Sequence, residues 1–159
     1  MTRRHLRLAE TEGEPAGGPP AVTLAFASTD YRHVDQHFGL AAGFVFHRLG
    51  PGGHQRVGAA ELDDGDADHD CDRLTPRIEL LDGCAGIYCI AVGPPAVRRL
   101  LQAGIQPRKV ATGTPIEAVL GELGEQLQRG RPPAWLQRAL GAREGHERRF
   151  DAMETRGWR

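Results

Sequence analysis

The chain has 159 residues, 26% charged and 40% hydrophobic, with a formal net charge of −1 at pH 7. That length suits one domain with a sizeable core plus tails, and the near-neutral balance argues against broad binding to nucleic acid, which needs a basic footprint. No apolar run of about eighteen residues exists, so no membrane span is expected; Arg3-Arg4 has no apolar stretch behind it and is not read as an export signal. Cys71, Cys84 and Cys89 are an odd number without the density of a disulfide scaffold, and a reduced cytoplasm is the expected compartment.

Residues 1–20 are polar, with Gly13, Pro15, Gly17, Gly18, Pro19 and Pro20, and read as a flexible leader that cannot bury enough apolar surface to offset its ordering entropy. The run Val22-Thr23-Leu24-Ala25-Phe26-Ala27 reads as a buried strand. A polar loop from Ser28 to Gly39 follows, then a strand over 41–49, a turn at Gly50-Pro51-Gly52-Gly53 and a third strand over 54–60, closing a hairpin that carries His47 and His54. Residues 61–72 form an acidic loop. The spacing of Asp64, Asp66 and Asp68 suggests calcium, but an EF-hand loop starting at Asp64 wants glycine at 69 and glutamate at 75, where the chain has His69 and Thr75; a solvated loop is expected.

Leu74, Ile78 and Leu81 share one face of a short helix over 74–81. A buried strand over 85–92, a helix over 95–103 with Pro95 first and Gly104 after its end, and a strand over 106–111 come next. Thr114, Pro115 and Glu117 predict a capped helix running to about Gln128. The early hairpin implies an antiparallel edge and the later helix–strand units imply parallel strands, hence an α/β fold with a five-stranded mixed sheet and helices on both faces. The domain spans 21–129. Gly130-Arg131-Pro132-Pro133 then breaks the chain, and 130–159 is a tail with one expected helix from Trp135 to Ala142, either docked on the domain or kept for a partner, with the partner favoured.

The stretch with chemistry is Ser28-Thr29-Asp30-Tyr31-Arg32-His33-Val34-Asp35-Gln36-His37-Phe38-Gly39. Two histidines four apart, with Asp35 between them, sit in a loop at a strand end, where a rigid scaffold presents ligands. Neutral imidazoles suit transition metals, iron included. The same residues fit solvated side chains or turn formers, and spacing alone does not choose. The zinc-protease helix is excluded, because Asp30, Gln36 and Gly39 break helical apolar periodicity.

Ala27-Ser28-Thr29-Asp30 followed by His33-Val34-Asp35-Gln36-His37-Phe38-Gly39 resembles the signature of the nitrogenase iron–molybdenum cofactor-binding family, which includes the NifX and NafY carriers and the C-terminal domain of NifB. Ile78 to Cys89 with Gly93 and Ala96 to Leu101, then Gly104 to Val110, agree. The tail, Pro133-Ala134-Trp135-Leu136 with Arg149 to Glu154 and Gly157-Trp158, is similar to the end of NifX proteins. The resemblance covers residues from about 22 to 159 and implies an RNase H-like topology. It implies a carrier, not an enzyme, that holds an iron–sulfur precursor cluster of the NifB-co type or the iron–molybdenum cofactor itself. NifB and the NifEN scaffold are the partners it implies.

Cys84 and Cys89 are five residues apart, roughly 16 Å along a strand and on opposite faces, so they cannot jointly bind one small cluster while that strand is extended. Cys89 lies towards the carboxyl end, where open α/β sheets bind ligands and where the amides of the helix near Pro95 favour an anion. The expected ligands are therefore His37 first, then His33 and Cys89. Asp35 is either a partner fixing an imidazole or a turn former, and Cys84 is a small buried residue. Two readings compete: a redox-responsive regulatory or storage module for nitrogenase clusters, and a nuclease, which would need clustered carboxylates on the sheet.

Overall fold

The computed structural model describes residues 4–8, 21–62 and 73–141. Its strands are β1 (Arg4–Leu8), β2 (Val22–Ala27), β3 (His33–Val34), β4 (Gly43–Gly50), β5 (Gly53–Leu62), β6 (Cys84–Cys89), β7 (Gln106–Lys109) and β8 (Thr114–Pro115). Its helices are α1 (Leu74–Leu80), α2 (Pro94–Gln102), α3 (Ile116–Gln128) and α4 (134–141), with a 3-10 turn over Phe38–Leu40.

The main sheet runs β1-β5-β4-β2-β6-β7. The five expected strands are all in it and the sheet is mixed as expected: β2 is antiparallel to β4 and parallel to β6, and β7 is parallel to β6. The sixth strand is a departure. Residues 4–8, inside the leader read as flexible, pair antiparallel with β5 from Arg4↔Leu62 to Leu8↔Gly58. An open β5 edge offers unpaired amides and carbonyls, and composition averaged over twenty residues hides a five-residue strand. The rest of the leader, the acidic loop from 63 with Cys71, and the tail from 142 with Trp158 lie outside the described residues.

The central strand β2 is apolar on both faces because both are covered. Ala25 and Ala27 face a core closed by α1 and α2, with Phe38, Phe44, Ile87 and Leu100. Leu24 and Phe26 face a second core closed by α3 and α4, with Val45, Tyr88, Leu120 and Leu136. The hairpin turns at Pro51-Gly52, and Gly53 takes φ 129°, a conformation that favours glycine.

Three expectations change. Cys84 and Cys89 lie on one face, both in the α1–α2 core, because a register shift against β2, where Thr23 pairs with Cys84 but Leu24 with Gly86, inserts an extra residue into β6. The capping box at Thr114 does not form: Thr114 pairs with Val34, its hydroxyl donates to the Ala111 carbonyl at 2.6 Å, and α3 starts at Ile116 with no side-chain cap. The beginning of the tail is docked, not free. Trp135 and Leu136 are buried in the α3 core, because Gly86 opens a flat spot on β6 where the indole lies; a Cβ there would come within 3.1 Å of the ring.

Candidate functional site

The loop between β2 and β4 is organised by its own short polar side chains. Ser28, fully buried at the end of β2, accepts the Tyr31 N–H at 2.8 Å and donates its hydroxyl to Asp30 Oδ1 at 3.1 Å. The same Oδ1 accepts the backbone N–H groups of Arg32 and His33, each at 2.8 Å. An aspartate that captures its own downstream amides makes a tight turn, and Tyr31 sits in it at φ 63°. Such a conformation costs on the order of 1 kcal/mol for a bulky residue. The Tyr31 hydroxyl donates to Glu61 at 2.8 Å, and the Arg56 guanidinium lies 4.9 Å from its ring centroid, so both ends of the side chain are held.

Beyond the turn, the loop crosses the carboxyl edge of the sheet from one core to the other. Val34 is fully buried against α3, and β3 pairs His33 with Pro115 just ahead of that helix. Phe38 is fully buried in the opposite core. Between them the chain runs beside the exit of β6: Ile90 N–H donates to the Gln36 carbonyl at 3.0 Å and Phe38 N–H to the Ala91 carbonyl at 2.9 Å. Arg77, fully buried, donates from Nε and Nη2 to the Ala41 carbonyl at 3.2 and 2.9 Å, fixing the far end of the loop.

His37 is exposed at the head of the 3-10 turn and makes no capping hydrogen bond with its side chain. His33 is half-exposed, with Nδ1 2.7 Å from Asp30 Oδ2. That contact, with the Arg32 and His33 amides, holds the Asp30 carboxyl well below the usual carboxylate range. Asp35 has another partner: its carboxylate accepts the Thr29 N–H at 2.9 Å and the Thr29 hydroxyl. Within the loop, the carboxylate that meets an imidazole is Asp30, three residues before His33. The signal for it was Ser28-Thr29-Asp30, which reads first as a strand-end turn and is one.

Cys89 ends β6 at the expected edge, but its side chain is fully buried. Its sulfur is 3.8 Å from the Arg108 carbonyl, and burial pushes the thiol up to about 11. The two histidines are on the rim and this sulfur is beneath it. Cys84 is buried as expected, its thiol pushed up to about 12 by burial. The start of α2 is also a poor anion site, because Pro94 and Pro95 occupy its first two positions and lack N–H groups, while the Val97 amide is spent on the Gly93 carbonyl. Among the described residues no three His, Cys, Asp or Glu side chains stand at spacing for a bare metal ion, and no helix is long and apolar enough to cross a membrane.

The fold and this loop define an α/β domain that presents imidazole nitrogens on a braced edge. The family model described as dinitrogenase iron-molybdenum cofactor matches residues 20–126. The chain is 41% identical over 136 residues to the protein NifX of Azotobacter vinelandii, covering 85% of each chain. It is 35% identical over 147 residues to NifX of Rhodobacter capsulatus, covering 89% of this chain and 91% of that one. The crystal structure of PH0822 aligns with a TM-score of 0.45 at 19% identity, over 71% of this chain and 97% of that one. The chain belongs to the dinitrogenase iron–molybdenum cofactor family.

Proposed function

We propose that this protein is a carrier that binds an iron–sulfur precursor of the iron–molybdenum cofactor, or the cofactor itself, on His37 and His33, and passes it between NifB and the NifEN scaffold. The observation that carries this reading is one exposed loop that places two imidazoles on the sheet edge and is anchored by Val34 in one core and Phe38 in the other. A preformed cluster brings most of its own sulfide coordination, so one or two neutral nitrogens suffice as protein ligands. Few ligands on an open rim also permit release by ligand exchange, which a carrier needs. A nuclease reading is not favoured, because β2, β4 and β6 carry no carboxylate to hold a metal pair.

The test is titration of the anaerobic full chain with isolated iron–molybdenum cofactor, followed by the cofactor's visible and paramagnetic resonance spectra. Wild type is expected to take up about one cluster per chain. His37→Ala and His33→Ala are each expected to weaken uptake by about 10-fold or more, with unchanged thermal melts because both side chains are at the surface. Cys89→Ser carries the sulfur's part: buried and protonated, it is expected to lower the melt rather than the affinity. Unchanged affinity in both histidine variants would remove the loop from the site, and a Cys89→Ser loss of affinity at a normal melt would put the sulfur back among the ligands.

A further inference from the structure

We infer that Asp30 is the positioning residue of this site: it holds the His33 ring with its proton on Nδ1, so that Nε2 is the nitrogen offered to the cluster. The inference rests on the proposed role of His33. An ionised carboxylate has acceptor sites only, so at 2.7 Å from Asp30 Oδ2 the His33 Nδ1 must be the donor. In the neutral ring Nε2 is then left with a free lone pair. Asp30 is itself immobilised, since its other oxygen accepts from the Ser28 hydroxyl and from the Arg32 and His33 amides. The buried end of the arrangement is Ser28. The β3–β8 pairing fixes the His33 backbone from the other side, with Ile116 N–H donating to the Arg32 carbonyl at 2.9 Å. Both the direction and the tautomer of the ring are therefore set before cargo arrives. His37, four residues on, has no comparable brace from its cap position. Among the described residues the site thus pairs one imidazole held by a carboxylate with one that is exposed and makes no capping hydrogen bond.

Asp30→Asn separates this role from a merely structural one. The amide oxygen still accepts from Ser28 and the two backbone amides, so the turn is kept. Its NH2 group faces His33, however, and a donor there requires Nδ1 to accept, moving the ring proton to Nε2. Exchanging an aspartate for asparagine beside a histidine is known to impose the wrong tautomer while leaving geometry intact. Long-range proton–nitrogen NMR on the full chain with labelled histidine reads the tautomer directly. The wild-type His33 signal is expected to be the Nδ1–H form and the Asp30→Asn signal the Nε2–H form. Affinity for isolated iron–molybdenum cofactor is expected to fall about 10-fold at an unchanged melt. An unchanged tautomer overturns the inference, as does a switched tautomer with full affinity in a protein where His33→Ala binds weakly. If His33→Ala also binds at full strength, the proposed role of His33 has failed and the inference with it. The tautomer spectrum tells these failures apart. Should the Asn turn be unstable, Asp30→Glu at a normal melt keeps the carboxylate and is expected to keep the Nδ1–H form; the Nε2–H form there overturns the inference.

Discussion

Trp135→Ala in the full chain is expected to cost about 3 kcal/mol, near the lower end of the range for truncating a buried Trp or Phe. Trp135 is 8% exposed and lies over Gly86, whose missing side chain makes room for the ring. It also contacts Tyr88, ring centroids 6.4 Å apart, and Tyr88 in turn stacks on Phe26 at 5.2 Å. The indole therefore seals the second core over two strands at the centre of the sheet, and removing it leaves a cavity there. The lower end of the range applies because the buried indole N–H has no hydrogen-bond partner among the described residues, so losing it relieves a desolvation cost. Against a typical total of about 5–15 kcal/mol, the loss is large enough to read as a lower urea midpoint by circular dichroism. A chain ending after Gln128 also loses Leu136, fully buried in the same cluster, and is expected to be less stable still. An unchanged midpoint for both variants would mean that the tail is held for a partner and not for the fold.

That docking was not legible in the sequence, although its components were. Trp135 and Leu136 follow two prolines, and a tail that is apolar at two spots reads equally well as a partner surface. What decides is Gly86, some fifty residues earlier, and no local pattern links the two. Strands β2, β4 and β6 were legible because each is a largely apolar run bounded by turn residues, while β5 and β7 are polar for much of their length and were placed by the Gly-Pro-Gly-Gly turn and by the helix–strand alternation; α2 announced itself by Pro95 and Gly104, and α3 by Pro115. The sidedness of Cys84 and Cys89 was not, since alternation assumes an unbroken ladder and the bulge at the start of β6 is a property of the pair, not of the strand. The histidine loop stood out by residue types and spacing, and its resemblance to the family signature is what singled it out. Its internal wiring was missed, because Asp30 and Asp35 are chemically alike and only the backbone path decides which one meets an imidazole and which meets Thr29. The exposure of the two loop histidines was thus readable, while the burial of the Cys89 thiol required knowing which strand covers it.

The stability of the fold is expected to fall as pH drops from about 6.5 towards 4, through a histidine that has no part in the rim site. His47 on β4 is 5% exposed, and neither ring nitrogen has a hydrogen-bond partner among the described residues. Its ring meets Phe26 edge-on at 5.6 Å and lies 6.2 Å from His54. Burial, with smaller contributions from His54 and Arg56, pushes the imidazole down to about 4 from the usual 6.5, against an opposing pull from Glu117. Glu117 is 3.4 Å from His54 and mostly exposed, so it screens little of this. Between the two values the unfolded chain binds a proton that the folded chain does not. Stability is therefore full above about 6.5 and declines down to about 4, by at most about 3 kcal/mol at 1.36 kcal/mol per pH unit. The measurement is urea unfolding at about pH 7.5 and about pH 4.5, for wild type and for His47→Leu, which fills the site without a titrating group. Carboxylates contribute equally to both proteins, so their share cancels in the comparison. Wild type is expected to lose more stability than His47→Leu over that interval, by up to about 2.5 kcal/mol, since the lower pH stops short of the folded value. Equal losses in the two proteins would show that the buried imidazole is already solvated in the folded state and that acid acts elsewhere.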